Sequence, residues 1–578
     1  MKIFLSAAAL MLVCLISTAQ TGKEFWFSIP YVDKSHDDDG NNAVTNSTNY
    51  FRVSTGEIGS EVTFYKFTGG TQAVLCTKTI AANSVTSVSV SNTGTPDIPL
   101  STFVIDQYNT ILDRGIYISA TAPISIYYEI GSVNNCELFA MKGSDALGTT
   151  FYPVLQNAFK NKNDISGGCS SWALDSWTTL DIIATEDNTT VTIDIPTAYT
   201  GGVKRVDVYS ETCSIAPILK RRQTGPDVFF CQYPAENVFT RTRTETYRNN
   251  ILQSTVYGAK NYLIDTLSDT YNVHRTGITI YDNWSPSGTN ISLAYFEKQL
   301  DITLFPVTKP TLTCTAPTPA STITYIPVSY TGSAITTKTL NKGNVYSIKA
   351  ETQNAIKLLG GIKITSSDVT KPIAIVMKDD GVLDGSCSAG GAVSADLVGD
   401  QIVPISKAGT AYIIPDFNEK ITATDGPLDE NLFIRALENG TQISIAGETN
   451  PVATLNAGDV FRYSNFSQNN SYKIVTSNSK PFQCFHMAGY PSNDKTVTEF
   501  AGAMVPPVDI CTGSTICAFV RPQSTKFLPV LISRTNTAGT FKYFKQGDAS
   551  WTTFNPTFSG PITIGSQTWY FAIDANVG

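Results

Sequence analysis

The chain has 578 residues, a formal net charge of −8 and only 16% charged residues. This length exceeds what a single hydrophobic core supports, so we expect about three or four domains. The acidic balance excludes nucleic acid as a partner, because phosphate binding needs a basic surface.

The first 19 residues are typical of a secretory signal peptide. Lys2 supplies the charged start, residues 3–16 are apolar, and small residues precede Gln20. We therefore expect a protein that is secreted, extracellular or on the outer cell surface. No later run approaches about 18 apolar residues, so the sequence predicts no transmembrane helix.

One pattern recurs three times along the chain. Residues 180–193 read LDIIATEDNTTVTI, residues 49–66 read NYFRVSTGEIGSEVTFYK, and residues 431–445 read NLFIRALENGTQISI. Each copy has an alternating apolar run, a short polar segment and a second alternating run, which predicts a β-hairpin. Asn188 and Gly440 stand where the turn needs a positive φ.

A longer unit follows each hairpin. It combines a strand, a Ser/Thr-rich turn, a proline (Pro123, Pro372 or Pro481) and another strand. The order and spacing of hairpin and unit are nearly preserved between the two halves, so we predict an all-β protein of duplicated β-sandwich or jelly-roll-like modules. A propeller-like ring of repeated four-stranded units is the alternative. The predicted segments are 1–19 (signal peptide), 20–195 (first module), 196–320 (inserted segment and linker), 321–510 (second module) and 511–578 (start of a further β module, truncated or continued by another).

Ten cysteines remain after the signal peptide, and an even number in an oxidising compartment favours disulfides over zinc. We expect local bridges in the near pairs Cys213/Cys231 and Cys511/Cys517, although the sequence does not fix the connectivity.

Two kinds of residue are candidates for a binding site. Tryptophans Trp172 and Trp177 flank the loop GGCSSWALDSW and are candidates for stacking on a sugar ring, with packing into the core as the alternative. Two acidic segments next to glycine offer hard oxygen ligands for calcium, with solvation as the alternative. Their candidate ligands are Asp37, Asp38, Asp39, Asn41, Asp379, Asp380 and Asp384. The sequence requires no cofactor, and calcium is the one ion that these ligands favour.

Several stretches together resemble the N-terminal domain family of IgGFc-binding proteins. They are the opening GKEFWFSIP (residues 22–30), hairpins such as ATEDNTTVTI, strands such as GIYISATAPISIYYE, and SDALGTTFYPV (residues 144–154). The resemblance spans about residues 22–510. It implies an extracellular binding or adhesive role, with an extracellular glycoprotein or glycan as partner, and immunoglobulin or mucin-like molecules as examples.

The motifs for catalysis are missing from the sequence. None of the patterns G-x-S-x-G, H-E-x-x-H or P-loop occurs, and the three histidines stand far apart. We therefore predict a binding protein that is not an enzyme. Two alternatives stay open: a secreted carbohydrate-active enzyme, which needs two converging carboxylates, and a purely structural repeat of a larger surface protein.

Overall fold

The computed structural model describes most of the chain after the signal peptide. The described residues are 21–32, 49–130, 137–161, 177–215, 219–224, 227–232, 237–248, 251–258, 261–264, 274–275, 312–315, 322–352, 355–383, 396–416, 429–466, 471–491, 498–510, 530–539, 541–543, 548 and 550–573. Nearly all regular structure among them is β-strand, which confirms the all-β prediction. Helix in this part of the chain is limited to α1 (Leu100–Phe103) and short 3-10 turns such as Gly143–Ala146 and Ile405–Lys407.

The strands are numbered in chain order. The first group is β1 (Gly22–Phe27), β2 (Ile29–Pro30), β3 (Asn49–Thr55), β4 (Ser60–Thr68), β5 (Thr71–Ile80), β6 (Val85–Ser91), β7 (Ile98–Pro99), β8 (Val104–Ile105), β9 (Ile111–Leu112), β10 (Ile116–Ile130), β11 (Glu137–Ala140), β12 (Thr150–Phe151), β13 (Lys160–Asn161), β14 (Thr178–Ala184) and β15 (Thr189–Ile195). Next come β16 (Ala198–Ile215), β17 (Leu219–Thr224), β18 (Asp227–Gln232), β19 (Asn237–Arg248), β20 (Ile251–Tyr257), β21 (Asn261–Ile264), β22 (His274–Arg275), β23 (Leu312–Thr315) and β24 (Thr322–Thr331). They are followed by β25 (Ala334–Leu340), β26 (Val345–Lys349), β27 (Lys363–Ser366), β28 (Ile373–Leu383), β29 (Asp396–Ile402), β30 (Ala411–Pro415), β31 (Asp429–Ala436), β32 (Thr441–Ile445), β33 (Ala453–Leu455), β34 (Val460–Tyr463), β35 (Tyr472–Ser477), β36 (Phe482–Pro491) and β37 (Thr498–Val505). The last are β38 (Val530–Ser533), β39 (Phe541–Tyr543), β40 (Thr552–Phe554), β41 (Ser559–Ile564) and β42 (Gln567–Ile573).

The strand pairings repeat three times and define three modules. In each module, four strands form sheet I, in the order β6-β3-β10-β11, β26-β14-β28-β29 or β34-β31-β36-β37. Four strands form sheet II, in the order β5-β4-β10-β1, β25-β15-β27-β12 or β33-β32-β35-β30. The long strand β10 belongs to both sheets of the first module. The repeat thus occurs three times, where the spacing of the sequence motifs predicts two modules.

The strands and turns of the predicted hairpins form, but the prediction that the two strands pair with each other is wrong. In each copy the turn joins a strand of sheet I to a strand of sheet II: β14, for example, pairs with β26 and β28, whereas β15 pairs with β25 and β27. In the central copy, Val191 and Ile193 of β15 are buried, while Thr190, Thr192 and Asp194 face outward. This alternation follows from the two-residue period of a strand. Asn188 has φ of 53° and Gly440 has φ of 71°, which confirms the predicted turn positions. In the second module, Leu180 and Ile182 of sheet I and Val191 and Ile193 of sheet II lie in one hydrophobic core.

A second repeated turn joins the edge strand of sheet II (β5, β25 or β33) to the edge strand of sheet I (β6, β26 or β34). Asn83, Gly343 and Gly458 all have positive φ there, at 51°, 80° and 90°. Their amides donate to the carbonyls of Gly56, Ala184 and Ala436, respectively, at 2.7 to 2.9 Å. The same backbone hydrogen bond therefore closes the turn in all three modules.

The modules pack in series through sheet I. Ile183, Val345 and Val376 of the second module lie in the core of the first, and Phe433 and Phe485 of the third lie in the core of the second. Sheet I of the second module and sheet I of the third thus bury both of their faces. This explains why their central strands contain almost continuous apolar runs.

Residues Lys204–Tyr325 form a separate compact unit, and Met1–Val203 with Ile326–Gly578 form the other. The division of the chain into five segments, made from the sequence, stays a prediction.

The expected bridge between Cys213 and Cys231 is wrong, because Cys213 is bonded to Cys314. The two bonded cysteines face each other across the antiparallel strands β16 and β23. Cys231 lies on β18, opposite Lys220 of β17. Distance along the chain misled the prediction, since strand pairing brings together residues that are 101 apart. Cys511 and Cys517 lie outside the described residues.

Candidate functional site at the junction of the first two modules

Polar side chains interrupt the apolar contact between the first two modules. Along β14, β26 and β28, the face that carries Ile183 and Val345 toward the first module continues into polar positions. These positions are Asp181, Ser347, Lys349 and Lys378. We call them, together with Tyr31, Tyr108 and Trp177, the junction cluster.

Asp181 is the buried anion of the junction cluster. Its carboxylate accepts hydrogen bonds from the hydroxyls of Ser347, at 2.6 Å, and Ser28, at 3.1 Å. Ser28 lies between β1 and β2 of the first module, so this bond crosses the junction. Burial raises the pKa of Asp181 to about 6, although both hydroxyls and Lys378 act in the opposite direction.

Lys378 is the buried cation of the cluster. Its ammonium donates to the carbonyl oxygen of Tyr31 at 2.5 Å and lies 3.5 Å from the carboxylate of Asp380. Burial lowers the pKa of Lys378, but Tyr108, Asp380 and Asp181 together outweigh it and the pKa is raised. The ammonium therefore stays charged at neutral pH.

Lys349 forms the accessible part of the cluster. Its Nζ atom lies 4.4 Å from the ring centroid of Trp177 and 5.2 Å from that of Tyr108. All three residues are half-buried. A cation between two aromatic faces is attracted to both rings, which fixes the position of the rings. The Nε1 atom of Trp177 is buried and has no acceptor among the residues that the structure describes.

This arrangement suits binding better than acid–base chemistry. The rings of Trp177 and Tyr108 offer flat apolar surface, and Lys349 offers hydrogen-bond donors beside them. A ligand with sugar rings and acceptor oxygens matches both features. Asp181, the carboxyl group with the raised pKa, is enclosed by its two serine partners and is only 2% exposed.

Of the residues predicted from the sequence, the structure places Trp177 in this cluster and Asp380 at its edge. Asp379 points to the opposite side of β28, where its carboxylate accepts hydrogen bonds at 2.7 Å from Gln156, Asn161 and Thr178. Burial raises the pKa of Asp379. Because these partners donate hydrogen bonds to the carboxylate, they occupy the oxygen lone pairs that a calcium ion would need. The remaining candidates lie outside the described residues: Trp172, Asp37, Asp38, Asp39, Asn41 and Asp384.

Sequence reasoning did not find Lys349, Lys378, Tyr108 or Asp181. A signal exists for Asp181, because it interrupts an otherwise apolar strand, TTLDIIA, at a position that is buried. The other three belong to ordinary polar or mixed segments. The pairing of β14 with β26 and β28 brings Lys349 and Lys378 together, and the pairing of β9 with β26 brings Tyr108 to them.

A chain of repeated β modules with a cluster that offers aromatic rings and an ammonium group has features of a binding protein. Residues 307–570 match the model of the protein family described as IgGFc binding protein. The match confirms the resemblance over residues 307–510 and extends beyond it to residue 570. No curated protein matches the chain. Within the described residues, no helix has the length and apolar character to cross a membrane.

Proposed function

We propose that the chain is a secreted or cell-surface adhesion protein that recognises an extracellular glycoprotein or glycan and catalyses no reaction. Immunoglobulin and mucin-like glycoproteins are the partner classes that the family resemblance favours. The observation that carries the proposal is the position of Lys349 between Trp177 and Tyr108, in a chain whose second half matches a family of binding proteins. We assign the contact with the partner to the junction cluster.

The test is binding of the mature chain, residues 20–578, to an array of immunoglobulins, mucins and glycans. We expect saturable binding to at least one class of ligand. Trp177→Ala removes the larger ring and should weaken that binding by about tenfold or more, as for a central aromatic contact.

Lys338→Met is the matched control, because Lys338 also lies over an aromatic ring, that of Tyr346 at 5.3 Å, but on a different part of the second module. It should leave binding unchanged. If the folded protein binds no ligand on the array, the result would contradict the adhesion proposal and favour a purely structural module. Binding that Trp177→Ala does not weaken would show that the contact lies elsewhere.

Calcium stays a prediction that rests on the acidic segments. Melting curves in calcium and in EGTA test it, because an ion that binds only the folded state raises the melting temperature. A lower melting temperature in EGTA supports the prediction, and identical curves contradict it.

A further inference from the structure

Sheet II of the first module exposes a face that is organised in two rows across its four strands. The strand register places the first row as Glu24, Ser119, Thr63 and Thr77, and the adjacent row as Trp26, Tyr117, Tyr65 and Val74. The residues between the rows, Phe25, Ile118 and Phe64, are buried in the core. By strand alternation, both rows therefore lie on the opposite side of the sheet from these three residues, although Trp26 is itself buried.

The second row is aromatic and held in place. The rings of Tyr65 and Tyr117 are 5.6 Å apart between centroids, and their planes differ by 28°. Trp26 is buried and supports Tyr117 from the other side at 4.8 Å, while Phe67 stacks on Trp26 at 5.4 Å. Val74, which is 59% exposed, extends the apolar surface next to Tyr65.

The first row is neutral and rich in hydroxyl groups, apart from the exposed carboxylate of Glu24. The hydroxyls of Thr63 and Thr77 are 3.1 Å apart. Burial and then the nearby Glu24 carboxylate raise the pKa of Tyr117, so its phenol remains a hydrogen-bond donor. Serine, threonine and tyrosine hydroxyls both donate and accept hydrogen bonds. Across the sheet they repeat at the strand spacing of about 4.8 Å.

The same face already serves as a contact surface elsewhere in the chain. In the third module, Ala411 and Ile413 of β30 and Ile474 of β35 pack against Ile562 and Phe571 of the sheet formed by β38, β42 and β41. In the second module, the row equivalent to Glu24, Ser119, Thr63 and Thr77 consists of threonines: Thr150, Thr365, Thr192 and Thr337. The first module thus resembles the second module in its row of hydroxyl groups and the third module in its apolar residues.

We propose that this face of the first module binds a neutral glycan chain. A pyranose ring presents an apolar face to Tyr65 and Tyr117, and its hydroxyls bond to the row of Thr63, Ser119 and Glu24. The exposed positions of both rows carry the Glu24 carboxylate and no cationic side chain, which disfavours polyanions, although Lys342 lies over the buried Trp26 ring at 5.7 Å. The hydroxyl row matches the many donors and acceptors of a sugar. This inference rests on the proposed adhesive function and gives it a second contact surface, formed by residues other than the junction cluster.

The test is isothermal titration of the mature chain with soluble oligosaccharides of β-1,4-linked glucose, N-acetylglucosamine, xylose and mannose. At least one of these probes should bind. Tyr65→Ala should weaken the binding by about tenfold or more. Tyr65→Phe keeps the ring and should weaken it by less than about threefold, since stacking is retained.

One control variant accompanies Tyr65→Ala. Thr337→Ala changes an exposed threonine of the equivalent sheet in the second module, and it should leave titration unchanged. If Tyr65→Ala, with an unaltered melting temperature, binds like the wild type, or if no probe binds, this inference is overturned. In either case, binding to the array that Trp177→Ala weakens would still support the proposed function.

Discussion

Lys142 of the first module, which is half-buried, and Asp400 of the second, which is buried, form an ion pair with 2.5 Å between Nζ and Oδ1. The other carboxylate oxygen of Asp400 accepts a hydrogen bond from the backbone amide of Met504 in the third module. One side chain therefore contacts all three modules. Gln401, the next residue on β29, extends the connection, because its side-chain amide donates to the carbonyl of Trp26.

Asp400→Asn should destabilise the repeat strongly. The substitution leaves the half-buried ammonium of Lys142 without its anion, and breaking a buried pair in this way costs up to about 3–5 kcal/mol. Burial already lowers the pKa of Lys142, and Asp400 opposes that effect. Urea unfolding followed by fluorescence measures the loss.

The control is Asp106→Asn, which removes the partner of Arg114 in an ion pair where the aspartate is 41% exposed. Screening by water limits that loss to less than about 1 kcal/mol. Equal losses for the two variants would mean that Asp400 is no more important than a surface anion.

The stability of the protein should depend on pH through Asp181. Its pKa is about 6 in the folded protein and 3.8 in the reference state, so the folded state holds the proton more tightly. The stabilisation is complete below about pH 4 and is lost as the pH rises through about 6, by up to about 3 kcal/mol. Asp181→Asn cannot titrate, so its free energy of unfolding relative to wild type should be higher at pH 7 than at pH 4. The same difference at both pH values would contradict the assignment.

The sequence predicted the repeated parts of the fold better than the site. Segments such as 180–193 have a two-residue period and turn residues with a steric reason, so their strands and turns were predictable. Local patterns do not show that the two strands enter different sheets. The sequence predicts two modules instead of three because Lys204–Tyr325 lies between β15 and β25 and divides the second module in the sequence. The junction cluster was predictable only at Trp177. Lys349 and Lys378 meet it through pairings between strands that are far apart in the sequence, and local patterns carry no information on such pairings.

The disulfide should stabilise the unit Lys204–Tyr325 rather than the modules. It joins residues that are 101 apart, and closing a loop of that size is worth about 4–5 kcal/mol in the chain-entropy account. The double variant Cys213→Ser/Cys314→Ser should therefore be cut by trypsin within this unit first, while fragments from the three modules persist. Mass spectrometry of a timed digest identifies the cuts, and Cys76→Ser, at a free cysteine, is the control. Cleavage of both variants at the same rate would contradict the expectation.

The repeated turn offers a comparison of two glycines in the same backbone conformation. Gly458→Ala adds a methyl group whose nearest neighbour is 3.9 Å away, so its cost is that of a left-handed φ alone, about 1–2 kcal/mol. At Gly343 the added carbon would lie 2.2 Å from the ring of Phe67, which is itself packed against Trp26. Gly343→Ala should therefore lower the free energy of unfolding by clearly more than Gly458→Ala, because it adds a steric clash to the same backbone strain. Urea unfolding of the two variants measures the difference. Similar losses would show that Phe67 yields to the methyl group and that the turn conformation alone makes glycine necessary at this position.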